Sequence, residues 1–111
     1  MAVIIKSQRE IELMRESCRI LAQVHRQLGE AIKPGISTWD IDALGEKLIR
    51  SYGCIPNFLN YNGYPASVCV SVNDEVVHGI PSKERILQEG DIVSLDAGLI
   101  YKGYHSDAAR T

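Results

Sequence analysis

The sequence predicts an α+β fold in which two N-terminal helices pack on an antiparallel sheet. Apolar residues recur at three- and four-residue steps from Ile11 to Ile49, the texture changes to alternation and turns after Pro56, and a glycine-containing turn at Lys102-Gly103 separates two strand-like runs. With 111 residues, 45% of them apolar, the chain is one domain or part of one and can fill a single core.

The first helix opens on Ser7 with Glu10 three residues later, a capping-box spacing. Ile11, Met14, Cys18, Leu21, Val24 and Leu28 then form its apolar stripe to about Glu30, and Lys33-Pro34-Gly35 ends it. A second start signal lies at Ser37 or Thr38, with Asp40 in the first turn. Ile41, Leu44, Leu48 and Ile49 are its buried stripe, and Gly53 is suited to the C-terminal cap. Ser67 to Val72 alternates as a strand, with Val68, Val70 and Val72 on one face and Ser67, Cys69 and Ser71 on the other. Asn73-Asp74 is a turn, Val76-Val77-His78 resumes extended structure, and Gly79-Ile80-Pro81 breaks it. Ser82 to Asp91 is a polar connection with room for one helical turn. No repeat, low-complexity tract or linker divides the chain.

Charge and cysteine content narrow the function. A net charge of −2, with 12 basic residues spread along the chain, argues against nucleic-acid binding by electrostatics. Three cysteines, Cys18, Cys54 and Cys69, are odd in number and lack metal-finger spacing, so they read as reduced thiols of an intracellular protein. No apolar run is long enough for a membrane span and the N-terminus has no signal pattern, so the expected location is the cytoplasm.

The chemistry lies in two aspartates. If Lys102 and Gly103 make a two-residue hairpin loop, Tyr101 pairs with Tyr104 and Asp107 falls opposite Gly98, so Asp96 and Asp107 share one face as diagonal neighbours. A three-residue loop would reverse the parity and separate them. Like charges at that range need a cation between them or a proton on one carboxyl; solvated carboxylates flanking a turn are the plainer alternative. Divalent metals held by carboxylates need further donors, and Asp96, Asp107 and one candidate histidine, His78, do not close a two-metal site. The chain reaches Thr111 only a few residues beyond Asp107, so the missing ligands are expected from another chain or from more of a longer protein.

Several motifs in order then carry a resemblance. Tyr61-Asn62-Gly63-Tyr64-Pro65, Ser67-Val68-Cys69, Val77-His78-Gly79-Ile80-Pro81, Glu89-Gly90-Asp91-Ile92-Val93, Leu95-Asp96-Ala97-Gly98 and His105-Ser106-Asp107 closely resemble the type I methionine aminopeptidases of bacteria. The start, from Lys6 through Val24 to Pro34-Gly35-Ile36-Ser37-Thr38, is similar to the first two helices of that family, so the resemblance covers almost the whole chain. It implies the pita-bread fold, in which two related halves, each with helices and an antiparallel sheet, enclose a two-metal site. Residues 1–111 are then the N-terminal half of one pita-bread catalytic domain, with the C-terminal half absent from this chain.

The resemblance further implies removal of the initiator methionine from nascent polypeptides whose second residue is small, with the N-terminal Met as partner, met at the ribosome. It implies two divalent metal ions, Co, Mn, Fe or Zn, with Asp96 binding one and Asp107 bridging both. A histidine and two glutamates from the other half would complete the cage. His78 matches the histidine that hydrogen-bonds near the scissile amide, and Phe58, Tyr61, Tyr64 and Cys69 match the first-half wall of the methionine pocket. On this reading the chain alone is inactive and self-associates through an uncovered face. A pita-bread module that binds proteins or peptides without cleaving them is the alternative from another class; a dinuclear peptidase acting before proline is a third. Of the remaining residues, His105 shares the face of Asp107 unless a bulge turns it away and reads as structural. His25 reads as solvated, Trp39 as packed near the second helix cap and Cys18 as core stripe.

Overall fold

The computed structural model describes residues 3–111. Helix α1 spans Gln8–Ala31 and α2 spans Thr38–Ser51, each opened by a reciprocal capping box, Ser7 with Glu10 and Ser37 with Asp40. Each box satisfies two backbone N–H groups that a helix start otherwise leaves orphaned. Gly53, at φ 74°, supplies the left-handed residue just past the end of α2.

Four strands form one antiparallel sheet: β1 (Ile55–Pro56), β2 (Val68–Val72), β3 (Val93–Tyr101) and β4 (Tyr104–Arg110). Strand β3 is the spine. One of its edges pairs with β2 and then with β1, and the other pairs along its length with β4. The loop between β3 and β4 is the two-residue turn that fixes parity, with positive φ at both Lys102 (49°) and Gly103 (85°), the combination a type I′ turn requires. Tyr101 accordingly faces Tyr104, and Gly98 faces Asp107.

One face of the sheet lies under the helices. Val68, Val70 and Val72 of β2 and Leu95, Ala97 and Leu99 of β3 meet Leu21, Val24 and Leu28 of α1 and Ile41 and Ile49 of α2 in a single core. Burying each of the larger side chains contributes about 1.5–3 kcal/mol, which is why the two-residue period of the strands and the helical stripe lock to each other. Helix α2 approaches closely because position 45 is glycine, and its own carboxylate, Asp42, accepts N–H bonds from Ser67 (2.7 Å) and Val68 (2.8 Å) at the start of β2.

Four expectations are corrected. The α1 stripe is buried as expected at Leu21, Val24 and Leu28 but not at its start: Cys18 is exposed and Ile11 is 39% exposed, whereas Ser17 and His25 are buried. They face β4, where Ser17 Oγ donates to Ser106 Oγ (2.9 Å) and His25 Nε2 donates to the Ala108 carbonyl (2.7 Å), so His25 is not solvated. Residues 76–78 form no strand, because Val76 and Val77 project into solvent without a pairing partner and His78 turns to φ 57°. Residues 82–91 hold turns and one bridge, Ile86 to Ser37, rather than a helical turn; bonds between Gly35 and Leu87, and between Thr38 and Ser82, tie them to the connection between the helices. Strand β1 was not foreseen, since two residues are too few for a period to show. Trp39 is 42% exposed, with the Lys83 ammonium 5.3 Å from its ring centre. Among the described residues, no helix is long and apolar enough to cross a membrane.

Candidate metal and peptide site

The face of the sheet away from the helices carries the polar residues. Cys69 lies directly opposite Asp96 across β2 and β3, and Gly98, two residues along the same face, lies opposite Asp107 of β4. Three neighbouring strands thus place Cys69, Asp96 and Asp107 side by side. Gly98 makes room for this row: a Cβ there would meet the Ser106 carbonyl and the Asn57 side chain, whose backbone N–H donates to Gly98 (3.0 Å). His105 does share the outward face, and its Nδ1 pairs with Asn57 Oδ1 at 3.0 Å, holding β4 to the segment after β1.

Two loops raise walls around this face. The first carries Phe58 and, through a short 3-10 turn at Tyr61–Gly63, brings up Tyr64, whose ring meets that of Phe58 edge-on at 6.4 Å between centres. The second leaves β2 and returns with His78. The result is an open cleft of about 510 Å³ lined by Phe58, Tyr61, Tyr64, Cys69, His78, Asp96 and Asp107, together with Asn62, Gly63, Pro65 and Ile80. All seven residues singled out in the sequence therefore share one cleft. The four others, Asn62, Gly63, Pro65 and Ile80, belong to the two motifs that contain Tyr61, Tyr64 and His78 but were given no role of their own.

Electrostatics mark the acid pair. Burial, and then the hydrogen bond and charge of Asp107, push the Asp96 carboxyl up to about 7. Asp96 Oδ1 is buried with no hydrogen-bond partner, an expensive state for a carboxylate oxygen. The same environment raises the Cys69 thiol, chiefly through burial, and raises the Tyr64 phenol through burial and its hydrogen bond with Cys69. Cys69 is thus a protonated, inert wall at neutral pH rather than a nucleophile.

This donor set fits a divalent cation. Two hard carboxylate oxygen donors converge, one oxygen lacks any partner, and a positive charge would relieve both the mutual repulsion and the desolvation. The set is also partial. Among the described residues no group of three or more His, Cys, Asp or Glu is arranged to hold a metal, so the remaining donors must come from outside them.

His78 occupies a costly conformation. At φ 57° it sits in the left-handed region, where a non-glycine residue is strained by about 1–3 kcal/mol and persists only when its surroundings fix it. Gly79 supplies the fixing. Its carbonyl accepts from Val70 N–H (3.0 Å) and Tyr64 OH (3.0 Å), its N–H donates to Ser71 Oγ (3.0 Å), and a Cβ at this position would collide with the Val70 carbonyl. Ser71 and Gly79 were missed as site-shaping residues.

Comparison with known proteins agrees with this geometry. The chain is 52% identical over 109 residues to the methionine aminopeptidase of Clostridium acetobutylicum and 50% identical over 109 residues to methionine aminopeptidase 1 of Bacillus subtilis. Each alignment covers 98% of this chain and 44% of the relative, so the chain spans less than half the length of the curated relatives it matches. The crystal structure of methionine aminopeptidase from Rickettsia prowazekii superposes with a TM-score of 0.95 at 33% identity, over 98% of this chain and 44% of that one. Two helices on an antiparallel sheet therefore match the corresponding part of a pita-bread protein. The sequence pattern of metallopeptidase family M24 matches residues 12–111, and the chain belongs to that family.

Proposed function

We propose that this chain is the N-terminal half of a pita-bread methionine aminopeptidase, which removes the initiator methionine from polypeptides with a small second residue. The observation that carries the reading is the convergence of Asp96 and Asp107, one with a partnerless buried oxygen, in the cleft that also contains His78. In it, Asp96 and Asp107 would hold divalent cations, two by family resemblance and drawn from Co, Mn, Fe or Zn. When bound, such cations lower the pKa of a water, polarise the scissile carbonyl and hold the free α-amino group.

The chain's own residues supply binding and orientation. Phe58, Tyr61 and Tyr64, with the Cys69 thiol at the floor, offer an apolar wall to an unbranched thioether side chain. His78 donates a hydrogen bond to the scissile amide as charge develops there. Its backbone is already fixed, so little reorganisation accompanies that step. The substrate is the N-terminal Met of new polypeptides, encountered as they leave the ribosome in the cytoplasm.

Two substitutions in the longer protein that carries this chain test the reading. Asp107→Asn removes a bridging charge and should cut cleavage of a Met-Ala-Ser peptide far more than it shifts the urea midpoint; full activity at saturating metal would refute the bridging role. His78→Ala should lower kcat by roughly 10²-fold with metal content unchanged, the scale for one positioned transition-state donor. Metal content that falls in step with rate would make His78 a ligand instead.

A further inference from the structure

The segment that carries His78 is not held by hydrophobic burial. Val76 is 85% exposed, Val77 66% and Ile80 60%, so of residues 76–80 only Gly79 is buried. What binds the segment to β2 is the set of hydrogen bonds on Gly79, the residue that follows the strained His78. One donor in that set is a side chain that also lines the cleft: Tyr64 OH lies 3.0 Å from the Gly79 carbonyl and 3.2 Å from the Val68 carbonyl. Both partners are acceptors and a phenol has one proton, so the hydroxyl bridges a strand carbonyl and a loop carbonyl across one shared hydrogen.

We propose that Tyr64 is a positioning residue for His78: its hydroxyl clasps residues 77–81 to β2 and fixes the left-handed backbone that brings the imidazole into the cleft of Asp96 and Asp107. The kinetic part of this inference rests on His78 being the transition-state donor; the clasp itself does not. Tyr64 then has two ends with two tasks. Its ring forms part of the wall for the substrate side chain, and its hydroxyl sets the place of the group that acts on the scissile amide. A side chain seated against the ring is thereby coupled through one rigid residue to His78, so the fit of the first residue is felt where the bond breaks.

Tyr64→Phe keeps the ring and its edge-on contact with Phe58 while removing the clasp. In the 111-residue chain, amide hydrogen exchange at Gly79 and Val70 should accelerate roughly tenfold, with Leu95 and Leu99 unchanged, as expected for loss of one hydrogen bond in a local opening. Exchange at Gly79 and Val70 as slow as in the parent would overturn the clasp. Ser71→Ala removes a second side-chain tie on Gly79 with Tyr64 intact and should likewise accelerate exchange at Gly79 and Val70; if Tyr64→Phe does not fold, unchanged exchange at both amides in Ser71→Ala would show that the bonds on Gly79 do not hold the segment and would overturn the clasp. In the longer protein, Tyr64→Phe should lower kcat about tenfold with KM within about twofold, and should cost nothing further in a His78→Ala background. Full additivity of the two changes would refute positioning. Absence of peptidase activity in the parent protein would count against the proposed function and leave the exchange result to stand by itself.

Discussion

Asp96 gives the chain a pH dependence whose sign can be worked out. Its carboxyl is raised from 3.8 to about 7, first by burial and then by Asp107, so between those values the folded chain holds a proton that the unfolded chain has released. Unfolding then releases that proton, and the metal-free chain loses stability as pH rises through the window. We expect the urea midpoint of the metal-free protein to fall from pH 4.5 to pH 8, and Asp96→Asn to flatten that fall. Buried Asp42 is also raised, mainly by desolvation, whereas Glu10, Glu16 and Asp91 are lowered, so the contrast with Asp96→Asn isolates the site. A variant whose midpoint still tracks the parent across this range would place the pH dependence elsewhere. The acid pair was legible because a two-residue turn fixes parity and parity alone fixes the face. His25 was not, since its partner is a backbone carbonyl 83 positions away and no local pattern signals that.

At the scale of elements, two glycines on helices should respond in opposite directions to the same substitution. Glycine in a helix interior costs about 1 kcal/mol relative to alanine. At Gly29, near the end of α1, an added Cβ meets nothing within 4 Å, so Gly29→Ala should gain about that amount. At Gly45 an added Cβ stands 2.5 Å from Val68 Cγ2, and Val68 is fully buried against the core. Overpacking costs about 1–3 kcal/mol, more than the helix propensity returns, so Gly45→Ala should destabilise. Urea unfolding of both variants checks the pair, and a stabilised Gly45→Ala would show that α2 can move off β2. Helix starts, the β3–β4 hairpin and the face of β2 were readable because each depends on neighbours in sequence. Residues 76–78 were misread as extended because β-branched composition was taken for pairing, and a strand without a partner strand has nowhere to place its backbone bonds. The burial of Ser17 in place of Cys18 on α1 escaped notice for a related reason: Ser17 and Ser106 satisfy each other across the helix–sheet contact, so a polar residue occupies a buried position that apolar periodicity does not mark.

The molecule as a whole has unequal faces. Beneath the helices β2 and the middle of β3 are buried, but β4 pairs only with β3 among the described residues, so its other edge offers free N–H and C=O groups. Val76, Val77, Ile80, Tyr61 and Ile92 are each 60% exposed or more. Unpaired edges and exposed apolar side chains favour association, and neither a proline nor a lysine blunts β4. The 111-residue chain should therefore sediment as dimers or larger species at micromolar concentration; a strictly monomeric profile across that range would mean that the cleft loops shield this surface. Two carboxylates supply too few donors for tight metal binding, so zinc or manganese should bind this chain far more weakly than a closed four-donor site would. The same shortage predicts no cleavage of a Met-Ala-Ser peptide by the chain alone with any added divalent metal. Under the proposed function, adding a C-terminal half as a separate polypeptide should restore cleavage if the two parts complete one cage. Turnover by the purified 111-residue chain, abolished in its Asp96→Ala variant, would show instead that Asp96, Asp107 and His78 suffice, and the partial donor set would have to be reread as a complete one.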